Sequence, residues 1–158
     1  MTGKTIEQLL KEKRIDQIIR PRVIHAPQTI SIKETVELMR EMKSGYVILT
    51  DGTRVAGIFT ETDVVNKVLE RDVDWTKPVS EVMTRDPVVL KLGDSVGMAI
   101  DTMAKRYFYH IPLVDEKGHF ANVISVRTII RFLAEYFPTE VFNLPPDHAQ
   151  ISVSPEGG

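Results

Sequence analysis

The chain has 158 residues, 42% of them hydrophobic and 27% charged, with 20 basic against 22 acidic side chains and a net charge of −2. That length makes one or two small domains with roughly 70% of the unfolded surface buried, and the near-neutral balance argues against a nucleic-acid partner, which needs a basic stripe. The lack of cysteine excludes disulfides, thiol catalysis and cysteine-based zinc sites; with no signal-like start at Met1-Thr2-Gly3-Lys4 and no 18-residue apolar run, a cytoplasmic protein that avoids membranes is expected.

In chain order, Thr5 to Ile19 reads as an amphipathic helix, with Ile6, Leu9, Leu10, Ile15, Ile18 and Ile19 near helical spacing. Val23-Ile24 is a short strand. Ser31 to Met42 is a helix with Ser31 as N-cap and Glu34 completing a capping box. Tyr46 to Leu49 and Val55 to Phe59 are strands joined at Asp51-Gly52, and Glu61 to Leu69 is a second helix. A linker from Arg71 to Lys77 holds the only tryptophan, Trp75, read as a packing anchor. Then come a strand at Val88-Val89-Leu90, a helix from Ser95 to Ala104, strands at Tyr109 to Val114 and Phe120 to Ile124, and a helix from Val126 to Tyr136. Met39, Met42, Met83, Met98 and Met103 read as core filler. The tail carries Pro138, Pro145, Pro146 and Pro155, with Val141, Phe142 and Leu144 available to dock on the body.

The order occurs twice. A shift of 64 residues lays Ile18-Ile19 on Val82-Met83, Ile24 on Val88, Ser31 on Ser95, Met39 on Met103 and Asp51 on Asp115. After one extra residue, Gly57 to Asp63 falls on Asn122 to Thr128. The reading is an α/β (α+β) fold: a leading helix at 1–19, β-α-β-β-α repeats at 20–72 and 78–137, and a Pro-rich tail at 138–158. Two such units pack around a pseudo-two-fold axis, which creates clefts suited to small ligands.

Thr60-x-x-Asp63 stands at a strand-to-helix junction. A carboxylate suits the paired 2′ and 3′ hydroxyls of a ribose, and Thr60 with the first amides at Glu61 offers donors to a phosphate. The same spacing is also a capping box, Thr60 as N-cap and Asp63 at N3. In the second copy Ser125 keeps the cap, but Thr128 replaces the carboxylate, so one good site and one weaker site are expected. Lys105, Arg106 and His110 make the basic end of copy two, among Tyr107, Phe108 and Tyr109. Arg106 suits forked phosphate contacts or a solvated helix end, and His110 titrates near neutrality. His119 and His148 join no cluster. No nucleophile–base pair or metal set stands out, so no enzyme, catalytic residue or metal is expected.

Val82-Met83-Thr84-Arg85-Asp86-Pro87-Val88, Tyr109-His110-Ile111-Pro112-Leu113-Val114-Asp115 and Gly57-Ile58-Phe59-Thr60-Glu61-Thr62-Asp63 together resemble the cystathionine-β-synthase (CBS) domain pair, or Bateman module, over residues 18 to 137. The resemblance implies an adenosine ligand (AMP, ADP, ATP or S-adenosylmethionine) bound between the copies as regulator, with no required cofactor. It also implies a homodimer, and an unidentified effector protein regulated in trans, since no effector domain is attached. It implies that Asp63, Thr60 and Glu61 meet ribose and phosphate, and that Arg106 and His110 meet phosphate. The adenine is expected near Val23, Ile24 and His25, walled by Val47, Ile58, Ile111 and Pro112, although His25 also reads as a plain loop histidine. The alternative is a structural homodimerisation module with no nucleotide.

Overall fold

Ser31 and Ser95 start the two long helices by the same contact. Each hydroxyl accepts the backbone N–H three residues on, from Glu34 at 3.0 Å and Met98 at 3.1 Å. The helices run Ile32–Met42 (α2) and Val96–Arg106 (α4). They bury matching stripes, Ile32, Thr35 and Met39 in one and Val96, Ala99 and Met103 in the other. Both close on a left-handed residue, Lys43 at φ 50° and Tyr107 at φ 57°. Met42 and Met98 depart from the expected core role: they stand exposed, outside these stripes.

The computed structural model describes residues 5–136. The N-terminal four residues and the tail, with Val141, Phe142, Leu144 and His148, lie outside them. Ile6–Glu12 is α1. Copy one adds strands His25–Pro27 (β1), Tyr46–Asp51 (β2) and Arg54–Thr60 (β3), then Glu61–Asp63 (α3), which widens into a π-helical turn at Val64–Leu69. Copy two adds Thr84–Arg85 (β4), Leu90–Lys91 (β5), His110–Val114 (β6), Phe120–Ser125 (β7) and Val126–Tyr136 (α5). The strands expected at Val23-Ile24 and Val88 to Leu90 each form slightly later, where β1 and β5 pair parallel to β2 and β6. β2–β3 and β6–β7 are antiparallel hairpins with irregularities at the equivalent steps Leu49/Thr50 and Leu113/Val114.

The copies exchange their leading segments. The helix expected through Ile19 stops at Glu12, because the next residues are drawn against copy two. Ile15 N–H donates to Asp94 O (2.8 Å), and Val96 N–H to Lys13 O (2.8 Å). Ile15 becomes fully buried among Val96, Ala99, Ile111 and Ile124. One repeat later, Val79 N–H donates to Ile30 O (2.8 Å) and Ile32 N–H to Lys77 O (2.9 Å), and Val79 is fully buried in copy one's core. Trp75 packs on that core, as its linker position suggests. β4 likewise leaves its own copy and pairs with β3, setting Ile58 against Thr84.

A third apolar cluster joins the two sheets through Ile48, Ile58 and Val123, packed on by Val23, Tyr46 and Phe120. Ile58 and Val123 are repeat equivalents, as are Tyr46 and His110, whose rings meet at 4.6 Å between centroids. Equivalent residues that touch each other mark the pseudo-two-fold axis.

Candidate functional site

A cleft of about 340 Å³ opens beside this axis. That is the lower end of the size range of small-molecule sites. Copy one lines it with Gly45, Ile58 and Thr60 to Asp63, and copy two with Thr84, Pro87, Val88 and Tyr107 to His110. β3 ends at Thr60 and β4 lies along it, so the junction of one copy meets the start of the other.

Asp63 is 7% exposed. Its Oδ2 accepts the Thr60 N–H at 2.9 Å and the Thr60 hydroxyl at 3.3 Å. Its Oδ1 stands 3.0 Å from Lys67 Nζ, which also donates to Thr84 Oγ1 at 3.2 Å. The carboxylate thus caps the helix start and faces the cleft at once. Oδ1 retains capacity for a further donor, whereas Oδ2 already accepts both Thr60 groups. The Glu61 amide does not stand free for a phosphate as expected: it donates to Gly45 O at 3.1 Å, tying the helix start to the residue before β2.

His110 enters from copy two. Burial, and then the nearby Arg127 charge, lower its pKa, so the imidazole is neutral at neutral pH. Its partner Tyr46 has a phenol raised by burial, against the lowering effects of a backbone hydrogen bond at Ile24 and the Arg22 charge.

The structure gathers Asp63, Thr60, Glu61, Ile58 and His110 around this cleft; the other expected residues are not among its lining. Arg106 ends α4 on the exposed surface. Val47 and Ile111 are fully buried, because strand alternation turns them to the helix side of each sheet, opposite Ile48 and Pro112. Pro112 pairs with Val123 in the β6–β7 ladder and is buried. Ile24 belongs to copy one's core, Val23 to the inter-copy cluster, and His25 is exposed with its ring 5.5 Å from Phe120. The residues beside the cleft are instead the repeat equivalents of Val23 and Ile24, Pro87 and Val88. The 64-residue register held that signal, but it had to be read across copies.

Tyr107, Tyr109, Thr84, Thr62 and Gly45 also line the cleft without having been assigned to it from the sequence. At the equivalent junction of copy two, Ser125 Oγ accepts the Thr128 N–H at 3.2 Å and lies 3.2 Å from the Thr128 hydroxyl. That cap is complete without a carboxylate.

The CBS domain family profile matches residues 15–70 and 79–135. An uncharacterised 17.7 kDa protein of Acidianus ambivalens is 30% identical over 123 residues, covering 77% of this chain and 74% of that one. The chain spans only 16–25% of the length of three further curated relatives. Among solved structures, a CBS domain protein from Pyrobaculum aerophilum complexed with AMP is 22% identical, with TM-score 0.68 over 77% of this chain and 98% of that one. The CBS domain pair of protein MJ0100, in complex with 5′-methylthioadenosine and S-adenosyl-L-methionine, is also 22% identical, with TM-score 0.69 over 77% and 99%. At that identity the two establish the likeness of fold.

Proposed function

The chain belongs to the CBS domain family, with a tandem pair of its domains, and from that premise we propose that it is a regulatory module that takes an adenosine ligand between its copies. The convergence of Thr60 and Asp63 with His110 on one inter-copy cleft carries this reading. Asp63 takes the ribose hydroxyls, Ile58, Pro87 and Val88 flank the base, and His110 faces the 5′ side. Neighbours of the same fold that hold AMP, 5′-methylthioadenosine or S-adenosylmethionine support the ligand class. The ligand acts by favouring one arrangement of the copies, which requires tighter binding to that arrangement. The module performs no chemistry itself and signals to a separate effector protein as a cytoplasmic metabolite or energy sensor.

Asp63→Ala is expected to weaken adenosine binding at least about tenfold, a loss of about 1.4 kcal/mol. Calorimetric titration after removal of co-purified nucleotide measures it, and an unchanged affinity removes Asp63 from the site.

A structural homodimer is the second reading. It is favoured by apolar side chains left uncovered at Val65, Leu69 and Ile130 among the described residues. Saturable binding of an adenosine ligand sets the nucleotide-free form of that reading aside.

A further inference from the structure

The charges around the cleft bear on which adenosine ligand it takes, an inference that rests on the adenosine reading of the same site. Glu61, Asp63 and His110 are the ionisable side chains of acidic or imidazole type that line it, and among the described residues no lysine or arginine lines it. Asp63 is balanced by Lys67 at 3.0 Å. Glu61 has no ion pair among the described residues; it is exposed at the lip, with its carboxylate 3.3 Å from where a Cβ on Gly45 would stand. Two of the backbone donors at the junction are already engaged, Thr60 N–H by Asp63 at 2.9 Å and Glu61 N–H by Gly45 O at 3.1 Å. His110 is neutral, and Arg127, whose charge reaches it, is outside the lining. The walls are otherwise apolar or aromatic, from Ile58, Pro87, Val88, Tyr107, Phe108 and Tyr109. An anion entering here would find no free cation among the described residues, since the Lys67 ammonium behind the wall is already shared between Asp63 at 3.0 Å and Thr84 Oγ1 at 3.2 Å, and it would meet the Glu61 charge. An uncharged or positively charged group meets neither penalty.

We propose that the cleft selects, among adenosine ligands, those whose 5′ substituent is uncharged or carries net positive charge, such as a thioether or a sulfonium–ammonium chain, and discriminates against 5′ phosphates. Glu61 is the specificity-determining residue.

The test is calorimetric titration of the nucleotide-stripped protein with adenosine, 5′-methylthioadenosine, S-adenosylmethionine, AMP and ATP at low and moderate salt. The first three should bind at least about tenfold more tightly than AMP, with ATP weaker still. The gap should narrow as salt screens Glu61, and Glu61→Gln should bring AMP closer to adenosine. AMP or ATP binding more tightly than adenosine overturns this selectivity while leaving the adenosine site standing. A gap unaltered by Glu61→Gln removes Glu61 from the role. No binding by any of the five overturns the adenosine site and the selectivity together.

Discussion

Gly57 and Asn122 occupy equivalent positions in the two copies and face the same problem, a backbone carbonyl pressed against the strand. A Cβ on Gly57 would meet Met83 Sδ at 2.4 Å and Thr84 O at 2.8 Å. At Asn122 the chain stands back, and the side-chain amide fills the gap by donating to Arg20 O at 3.0 Å. Arg20 is the repeat equivalent of Thr84. Copy one therefore closes its junction by packing β4 directly on β3, while copy two closes it with a side-chain bridge. The same divergence recurs six residues on, where Asp63 faces the lined cleft and Thr128 only closes a cap. One duplicated frame has kept its core and let its clefts part.

The comparison can be broken at the exchanged segments. Ile15→Ala should cost about 3 kcal/mol and Val79→Ala about 2 kcal/mol, because each empties the core of the other copy. Urea unfolding reads both, and a negligible loss at Ile15 would mean that the leading segment is an appendage. Next in size, Gly57→Val should destabilise by about 2 kcal/mol through the clash with Thr84 O. Asn122→Gly, which removes a side chain and its two hydrogen bonds, to Arg20 O and from the Val123 N–H, without a clash, should cost about 1 kcal/mol. If the two substitutions cost the same, the junctions are not built differently.

Thr128→Asp sharpens the contrast from the other side. It restores a carboxylate at the second junction, and adenosine stoichiometry should rise from one per chain toward two, the added site about tenfold weaker than the first. A stoichiometry that stays at one would show that the second junction lacks walls as well as the acid. The smallest effect is a pH dependence. His110 has a folded pKa below the ordinary 6.5, so as pH falls through 6.5 the unfolded chain takes up the proton first and stability declines until the folded pKa is passed. His110→Phe should flatten that decline in urea midpoints measured from pH 7 to 5. An unaltered slope assigns the decline to other groups.

Much of this frame was legible in the sequence. The repeat register fixed which helices correspond, the Ser31 cap formed, although among the described contacts Glu34 does not reach back to complete a capping box, and Thr60, Asp63 and His110 came to one place. What stayed hidden was the exchange between copies. Ile15 and Ile18 keep helical spacing with Leu10, and nothing local shows that hydrogen bonds to Asp94 and Leu92 will pull the chain out of the helix. For the same reason Val23 and Ile24 are the expected walls, whereas the residues lining the cleft are their equivalents Pro87 and Val88. Periodicity reports which face of an element is buried, not which copy buries it. Val47 and Ile111, apolar and central in their strands, suit a ligand wall by hydrophobicity, although alternation turns them inward.

The exchange also has a consequence for descent and for engineering. Each copy is sealed by a plug, Ile15 or Val79, that arrives from the other. Fragments produced by cleavage after Lys77 would each carry the stopper for its counterpart and lack its own, so they should remain unfolded alone and regain a cooperative unfolding transition when mixed. A single-copy ancestor could have closed its core only by trading arms with a second molecule. Joining the two copies in one chain makes that trade intramolecular, so each plug is held at high effective concentration beside the core it closes.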